Sequence, residues 1–167
     1  MKISTEAIKE LREQSGAGIM ECRNALVDAE GQLERALDIL KKQSLVKVEK
    51  KKSRSAMQGI IESYVHAGGR IAAMVELNSE TDFVARTPEF KQLAHDIAMQ
   101  VAAMDPQYVA SEDVPEGSDL DPASASLLAQ AFIKDPAVTI RDLVNQLIAK
   151  TGENIKVSRF ARFEVGG

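Results

Sequence analysis

At Gly59 the chain changes its hydrophobic period, so one uniform architecture cannot satisfy both halves. Before that point apolar residues recur at helical spacing in three groups: Ala7, Ile8 and Leu11; Cys22, Ala25, Leu26 and Ala29; Leu33, Ala36, Leu37 and Leu40. Ser4 or Thr5 caps the first group, Gly16-Ala17-Gly18 breaks it, and Gly31 separates the second from the third. This predicts a three-helix bundle over residues 1–45, with narrow apolar stripes and a small core. A basic helical linker, frayed or tether-like, follows over 46–58. From 59 to 167 the pattern is that of an α+β domain. Ile60, Ile61, Tyr64 and Val65 form one β-like run and Ile71 to Leu77 another, with Gly68-Gly69 suited to a two-residue hairpin turn. Thr87-Pro88-Glu89 starts a helix carrying Phe90, Leu93, Ala94, Ile97 and Val101. Residues 105–122 read as an acidic surface loop, followed by helices near Ala123–Phe132 and Ile140–Ala149. Ile155-Lys156-Val157 opens a last strand that joins the hairpin. The fold class is therefore α+β, a three-stranded antiparallel sheet packed with helices behind an N-terminal bundle.

Composition narrows the function. With no Trp and 4% aromatic residues, the core is mostly aliphatic. No apolar run approaches the roughly 18 residues needed to span a bilayer, and Met1-Lys2-Ile3-Ser4-Thr5-Glu6 lacks the apolar core of a signal peptide. Cys22 is alone, which excludes an internal disulfide or a cysteine metal site. A cytoplasmic protein with no membrane contact is expected. The net charge of −4 conceals an asymmetry: residues 1–58 hold 12 Lys/Arg against 9 Asp/Glu, and residues 59–167 hold 9 against 16. An acidic body repels phosphate, so direct nucleic-acid binding is not expected.

Catalytic and metal apparatus is not visible. The two histidines, His66 and His95, have no zinc spacing, and no Ser/His/acid or Cys/His set stands out. Gly16-Ala17-Gly18 lacks the Gly-Lys-Ser/Thr of a phosphate loop, and the acids of 105–121 lack calcium-loop spacing. The sequence therefore predicts a protein that is not an enzyme and uses no cofactor or metal. Two apolar features have no place in a plain scaffold. Ile19 and Met20 follow the flexible glycine turn, where both cannot easily face so small a core. Phe83, in Asn78-Ser79-Glu80-Thr81-Asp82-Phe83-Val84-Ala85-Arg86, stands at a strand-to-helix junction where small polar residues are usual. Phe83 either packs under the next helix or forms, with Asp82, an interaction tip.

Three blocks carry a family resemblance. They are Leu11 through Leu26, containing Ser15-Gly16-Ala17-Gly18-Ile19-Met20-Glu21-Cys22-Arg23; His66-Ala67-Gly68-Gly69-Arg70 through Arg86; and Gly152-Glu153-Asn154-Ile155-Lys156-Val157 with Arg159-Phe160 and Arg162-Phe163. In that order they resemble the signatures of the bacterial elongation factor Ts family, guanine-nucleotide exchange factors for elongation factor Tu. The sequence departs from the family pattern at Ser79, where Cys is frequent, and at Gln58, where an acid is common. The resemblance implies that the bundle is like a ubiquitin-associated domain and docks on the partner through Ile19, Met20 and Arg23. It implies that Thr81, Asp82, Phe83 and Val84 enter the magnesium side of the partner's nucleotide site, Phe83 as a wedge and Asp82 against the magnesium–water arrangement. The partner is then elongation factor Tu, GDP-bound and nucleotide-free. The length suits one core half where long members carry two, which implies a homodimer. His66, Gly68 and Gly69 would then supply a second contact from the other protomer. Two other functions fit the residues: a binding module without exchange activity, and an RNA- or ribosome-associated protein using the basic run from Lys47 to Arg54.

Overall fold

The structure is a computed structural model that describes residues 3–167, and the chain divides into two units, before and after the Lys52–Ser53 bond. In the first, α1 (Thr5–Ser15), α2 (Ile19–Asp28) and α3 (Leu33–Lys51) form the expected bundle. Ser4 caps α1, its Oγ accepting from the Ala7 N–H at 3.1 Å. Leu11, Cys22, Ala25, Leu26, Ala29, Ala36 and Leu40 make the buried core. Most of these side chains are small, so the helices pack closely around little apolar volume. The third helix runs into the stretch expected to be a basic helical linker. It continues through Lys51 without a break, so the first turns of the proposed linker are helix, and Val48 is buried on it.

In the second unit, β1 (Gln58–Val65), β2 (Ile71–Ser79) and, from the far end of the chain, Lys156–Glu164 form one antiparallel sheet with β2 at its centre. The hairpin turn is longer than a two-residue turn. The His66 N–H donates to Ile71 O at 2.8 Å, closing a loop of four residues, and Gly68 and Gly69 adopt φ of 92° and 68° within it. A short helix, α4 (Asp82–Ala85), follows β2 directly, and α5 (Pro88–Met104) lies across the sheet with Phe90, Leu93, Ala94, Ile97, Ala98 and Val101 buried. Thr87 caps α5 and Pro88 occupies its first turn, as expected.

The segment 123–132 is not a helix. Only α6 (Pro122–Ala125) is helical; a 3-10 turn follows, and β3 (Ala131–Phe132) pairs with β4 (Asp135–Thr139). The end of the segment is organised by Gln100, fully buried on α5. Its amide donates to Gln130 Oε1 and Ala131 O, both at 3.1 Å, and accepts from the Ile133 N–H at 3.0 Å. Two of these partners, Ala131 O and the Ile133 N–H, are backbone groups that a buried side chain satisfies in place of a helical ladder. The last elements, α7 (Ile140–Thr151) and β5 (Lys156–Glu164), match the expected positions, and β5 pairs with β2. Residues 105–121 are loop apart from one 3-10 turn at Ser111–Asp113.

Gly59 marks the start of the sheet for a steric reason. It sits at φ 151°, and a Cβ there would lie 2.2 Å from Leu77 O. Gly59→Ala should destabilise the second unit by more than about 2 kcal/mol, read as a lower urea midpoint with the first unit's helices retained.

Candidate partner-binding site

The tip grows from the end of β2. Beyond Leu77 the strand's inside-outside alternation stops: Leu77, Asn78 and Ser79 are all buried. Ser79 Oγ donates to Thr81 O at 2.8 Å, turning the chain out of the sheet. Thr81 then caps α4, its Oγ1 accepting from the Val84 N–H at 3.4 Å. This one-turn helix places Asp82 in its first turn and leaves Phe83 79% exposed. Phe83 therefore does not pack under α5; Phe90 takes that position, with no exposure. Asp82 is half-buried and its Oδ2 pairs with Arg86 Nη2 at 2.7 Å. Val84 is half-buried and Thr81 exposed.

The underside of the tip is tied to the opposite end of the second unit. Glu153, in the loop between α7 and β5, accepts with Oε2 from the Glu80 and Thr81 N–H groups at 3.1 and 3.0 Å. Its Oε1 accepts from Thr81 Oγ1 at 2.6 Å. In return, Glu80 Oε1 accepts from the Asn154 N–H at 2.7 Å, and Asn154 Nδ2 donates to Arg54 O at 2.7 Å. Sequence reasoning passed over Glu80, Glu153 and Asn154. The available signal was an acid directly after the helix-ending Gly152, where a plain turn residue would suffice.

In the first unit Ile19 and Met20 open α2 and are 55% and 61% exposed, with Arg23 exposed one turn on. Val27, at 47%, extends this apolar strip along the helix. The helix start is held by Glu21, whose Oε2 accepts from the Gly18 N–H at 3.2 Å and whose Oε1 pairs with Lys47 of α3.

His66 is exposed beside the hairpin turn, its Nδ1 3.1 Å from Tyr64 Oη, and Gly68 and Gly69 are exposed with it. His95 is less solitary than an ordinary surface histidine. Its Nδ1 lies 3.3 Å from Glu62 Oε1 and its ring meets Tyr64 edge-on. Among the described residues no three His, Cys, Asp or Glu side chains are grouped to hold a metal ion. No helix among them is long and apolar enough to cross a membrane.

The outer face of the sheet carries several exposed apolar side chains together with the charged Glu76 and Arg159. Cross-strand register sets Ile61 opposite Glu76, Val65 opposite Ala72, Met74 opposite Ala161 and Ala72 opposite Phe163. Ile61, Val65, Met74 and Phe163 are 49–69% exposed. The Glu76–Arg159 pair, 2.7 Å from Oε2 to Nε, lies on that face.

The chain is thus an α-helical bundle with an exposed apolar helix start, joined to an α+β unit that presents an exposed aromatic side chain on a capped helical turn. The family model for elongation factor TS matches residues 3–118, and the chain belongs to the elongation factor Ts family. It is 44% identical to the elongation factor Ts of Caldanaerobacter subterraneus subsp. tengcongensis, over 98% of this chain and 97% of that protein. It is 46% identical to that of Thermotoga maritima and 45% to that of Thermotoga neapolitana, over 99% of this chain and 98% of each relative. The aligned span of 194 positions exceeds the 167 residues of this chain, so these relatives hold residues within it that this chain lacks.

The Lys47 ammonium bonded to it, and then the Gly18 N–H, hold the Glu21 carboxyl below the usual glutamate value of 4.5. A lowered folded-state value stabilises above the unfolded one, and the contribution is lost as pH falls through the folded value. Acidifying below about 4.5 should therefore loosen the α2–α3 contact, followed as faster amide exchange at Gly18 and along α2. Glu21→Gln should flatten that pH dependence.

Proposed function

We propose that this chain is the guanine-nucleotide exchange factor of translation elongation, acting on elongation factor Tu. Family membership carries the reading, and the exposure of Phe83 on a capped helical turn supplies the wedge it needs. In this mechanism Ile19, Met20 and Arg23 of α2 dock the partner, while Thr81, Asp82, Phe83 and Val84 enter beside its nucleotide site. A GTPase holds its nucleotide partly through a magnesium ion and the loops that ion orders. Phe83 displaces apolar packing beneath those loops and the Asp82 carboxylate competes for the metal's hydration shell, both of which favour the empty state. Because linkage is reciprocal, a protein that binds the empty state more tightly weakens GDP affinity by the same factor. Differential affinity is sufficient; no acid, base or covalent step enters, and the chain needs no cofactor of its own. Asp82 must leave Arg86 to act, and an ion pair this exposed costs little to open, about 1 kcal/mol or less.

The basic run gives the RNA reading less support, since Lys47 pairs with Glu21, Lys52 with Glu49 and Arg54 with Glu80. The deciding experiment follows a fluorescent GDP analogue leaving elongation factor Tu. The wild type should speed release, and Phe83→Ala should remain folded while losing most of the effect, with a binding cost on the order of 2 kcal/mol. A complex that forms without faster release would leave only a plain binding module.

The working form in this proposal is a homodimer in the cytoplasm. Its support is the apolar part of the outer sheet face around Met74, whose exposure in one chain leaves a large hydrophobic patch in water. Through such a pairing His66, Gly68 and Gly69 would reach the partner from the second protomer. Sedimentation should give twice the 18.2 kDa of one chain. Met74→Asp should weaken that association by at least about tenfold, since it buries an unpaired charge in the interface. A wild type that sediments as one chain at micromolar concentration would remove the dimer.

A further inference from the structure

We infer that Glu153 is a positioning residue for the exchange tip, a role that rests on the exchange reading given above. Glu153 lies 72 residues from Thr81 in sequence, yet its carboxylate accepts from three donors at the base of the tip: the Glu80 N–H, the Thr81 N–H and the Thr81 hydroxyl. A hydroxyl has one hydrogen. Since Thr81 spends it on Glu153 Oε1 at 2.6 Å, its lone pairs are left to receive the Val84 N–H, which is the bond that caps α4. The carboxylate thus orients the cap, and the cap orients the four-residue helix that carries Phe83. Donation to an ionised acceptor makes the hydroxyl a better acceptor in turn, so the two bonds reinforce each other.

Helix α4 cannot hold its own shape. One turn lies far below the length at which a helix is stable in water, and with Phe83 turned outward it has only Ala85 fully buried. Its direction must come from its attachment. On the strand side that attachment is the Ser79–Thr81 bond; on the other side it is Glu153, itself fixed by the exchange of bonds between Glu80 and the Asn154 N–H. A wedge acts only if its ring arrives in the right place, so slackening this joint at Glu153 reduces exchange while every side chain proposed to meet the partner is still present.

The test is a double-mutant cycle of Glu153→Ala with Phe83→Ala, read as GDP release from elongation factor Tu. Amide exchange of the free protein is measured alongside. Glu153→Ala should stay folded, lose protection at Glu80, Thr81 and Val84, and slow stimulated release about tenfold, but less than about twofold further when Phe83 is already Ala. Glu153→Gln should recover most of the rate. Its Oε1 can still accept both backbone N–H groups while its Nε2 donates to the Thr81 hydroxyl, which keeps a lone pair for Val84. Equal losses in both Phe83 backgrounds would mean general destabilisation and overturn the proposal. So would unchanged protection, or unchanged release, in Glu153→Ala. If Glu153→Ala does not fold, Glu153→Asp, whose shorter side chain withdraws the carboxylate from the Thr81 hydroxyl, carries the same cycle, and additivity with Phe83→Ala again overturns it. A wild type that fails to accelerate release sinks the exchange reading instead, and amide protection at Glu80 and Thr81 then decides by itself whether Glu153 holds the tip.

Discussion

Antiparallel pairing of β2 on both of its edges is the constraint on which the second unit depends. Its N–H and C=O groups are taken up by β1 on one side and β5 on the other, and Ala73, Val75 and Leu77 are buried on its inner face. A strand fixed so completely cannot slide, because a one-residue slip would turn its apolar set to the outside. The chain leaving its far end therefore starts from a known position and direction. Ser79, Thr81 and Glu153 convert that starting point into a placed helical turn.

The first unit rests on a different balance. Its core is built from Ala25, Ala29, Ala36 and Cys22 with few large side chains, so it gains little per residue from burial. Even so, Ile19 and Met20 remain in water at the start of α2. Large apolar side chains withheld from a core that needs them are a cost to stability, which the proposed docking would recover. A helix start also holds these side chains in fewer orientations, so less freedom would be lost on binding than from a loop. Ile19 with Met20, and Phe83, share one arrangement: an apolar group at the start of a helix.

Much of this was legible in the sequence, because the periods and caps are strong. Ser4, Thr87-Pro88 and the Thr151-Gly152 stop each mark an element boundary by a local bond, and local bonds depend on neighbours in sequence. What escaped depends on distance. Residues 123–132 have helix-like spacing, but Gln100, some thirty positions earlier, takes Ala131 O and the Ile133 N–H at the end of that segment. The Thr81 cap on α4 is local, but a single turn carries no apolar period to reveal a helix, and the hydroxyl of that cap is held by Glu153 from the far end of the chain. The basic run from Lys47 reads as helix because Lys and Arg favour it, but nothing in that run shows that it prolongs α3 without a break. Phe83 was left between core and surface because composition cannot tell which of two nearby phenylalanines, 83 or 90, fills the single space under α5.

The ladder between β2 and β5 breaks step at Glu76 and Leu77, where Arg159 and Val157 face successive residues and Ser158 has no partner in the register. The bulge takes up that extra residue, so Val157 and Lys156 still face Leu77 and Asn78. Were the ladder regular with Ser158 in it, Ser158 would face Leu77 and everything before it would be displaced by one strand step, roughly 3.3 Å. A hydrogen bond tolerates about a few tenths of an ångström, so Glu153 could not then meet Thr81 as it does. The irregularity acts as a length gauge: it absorbs one residue inside the strand and leaves the joint before it in place.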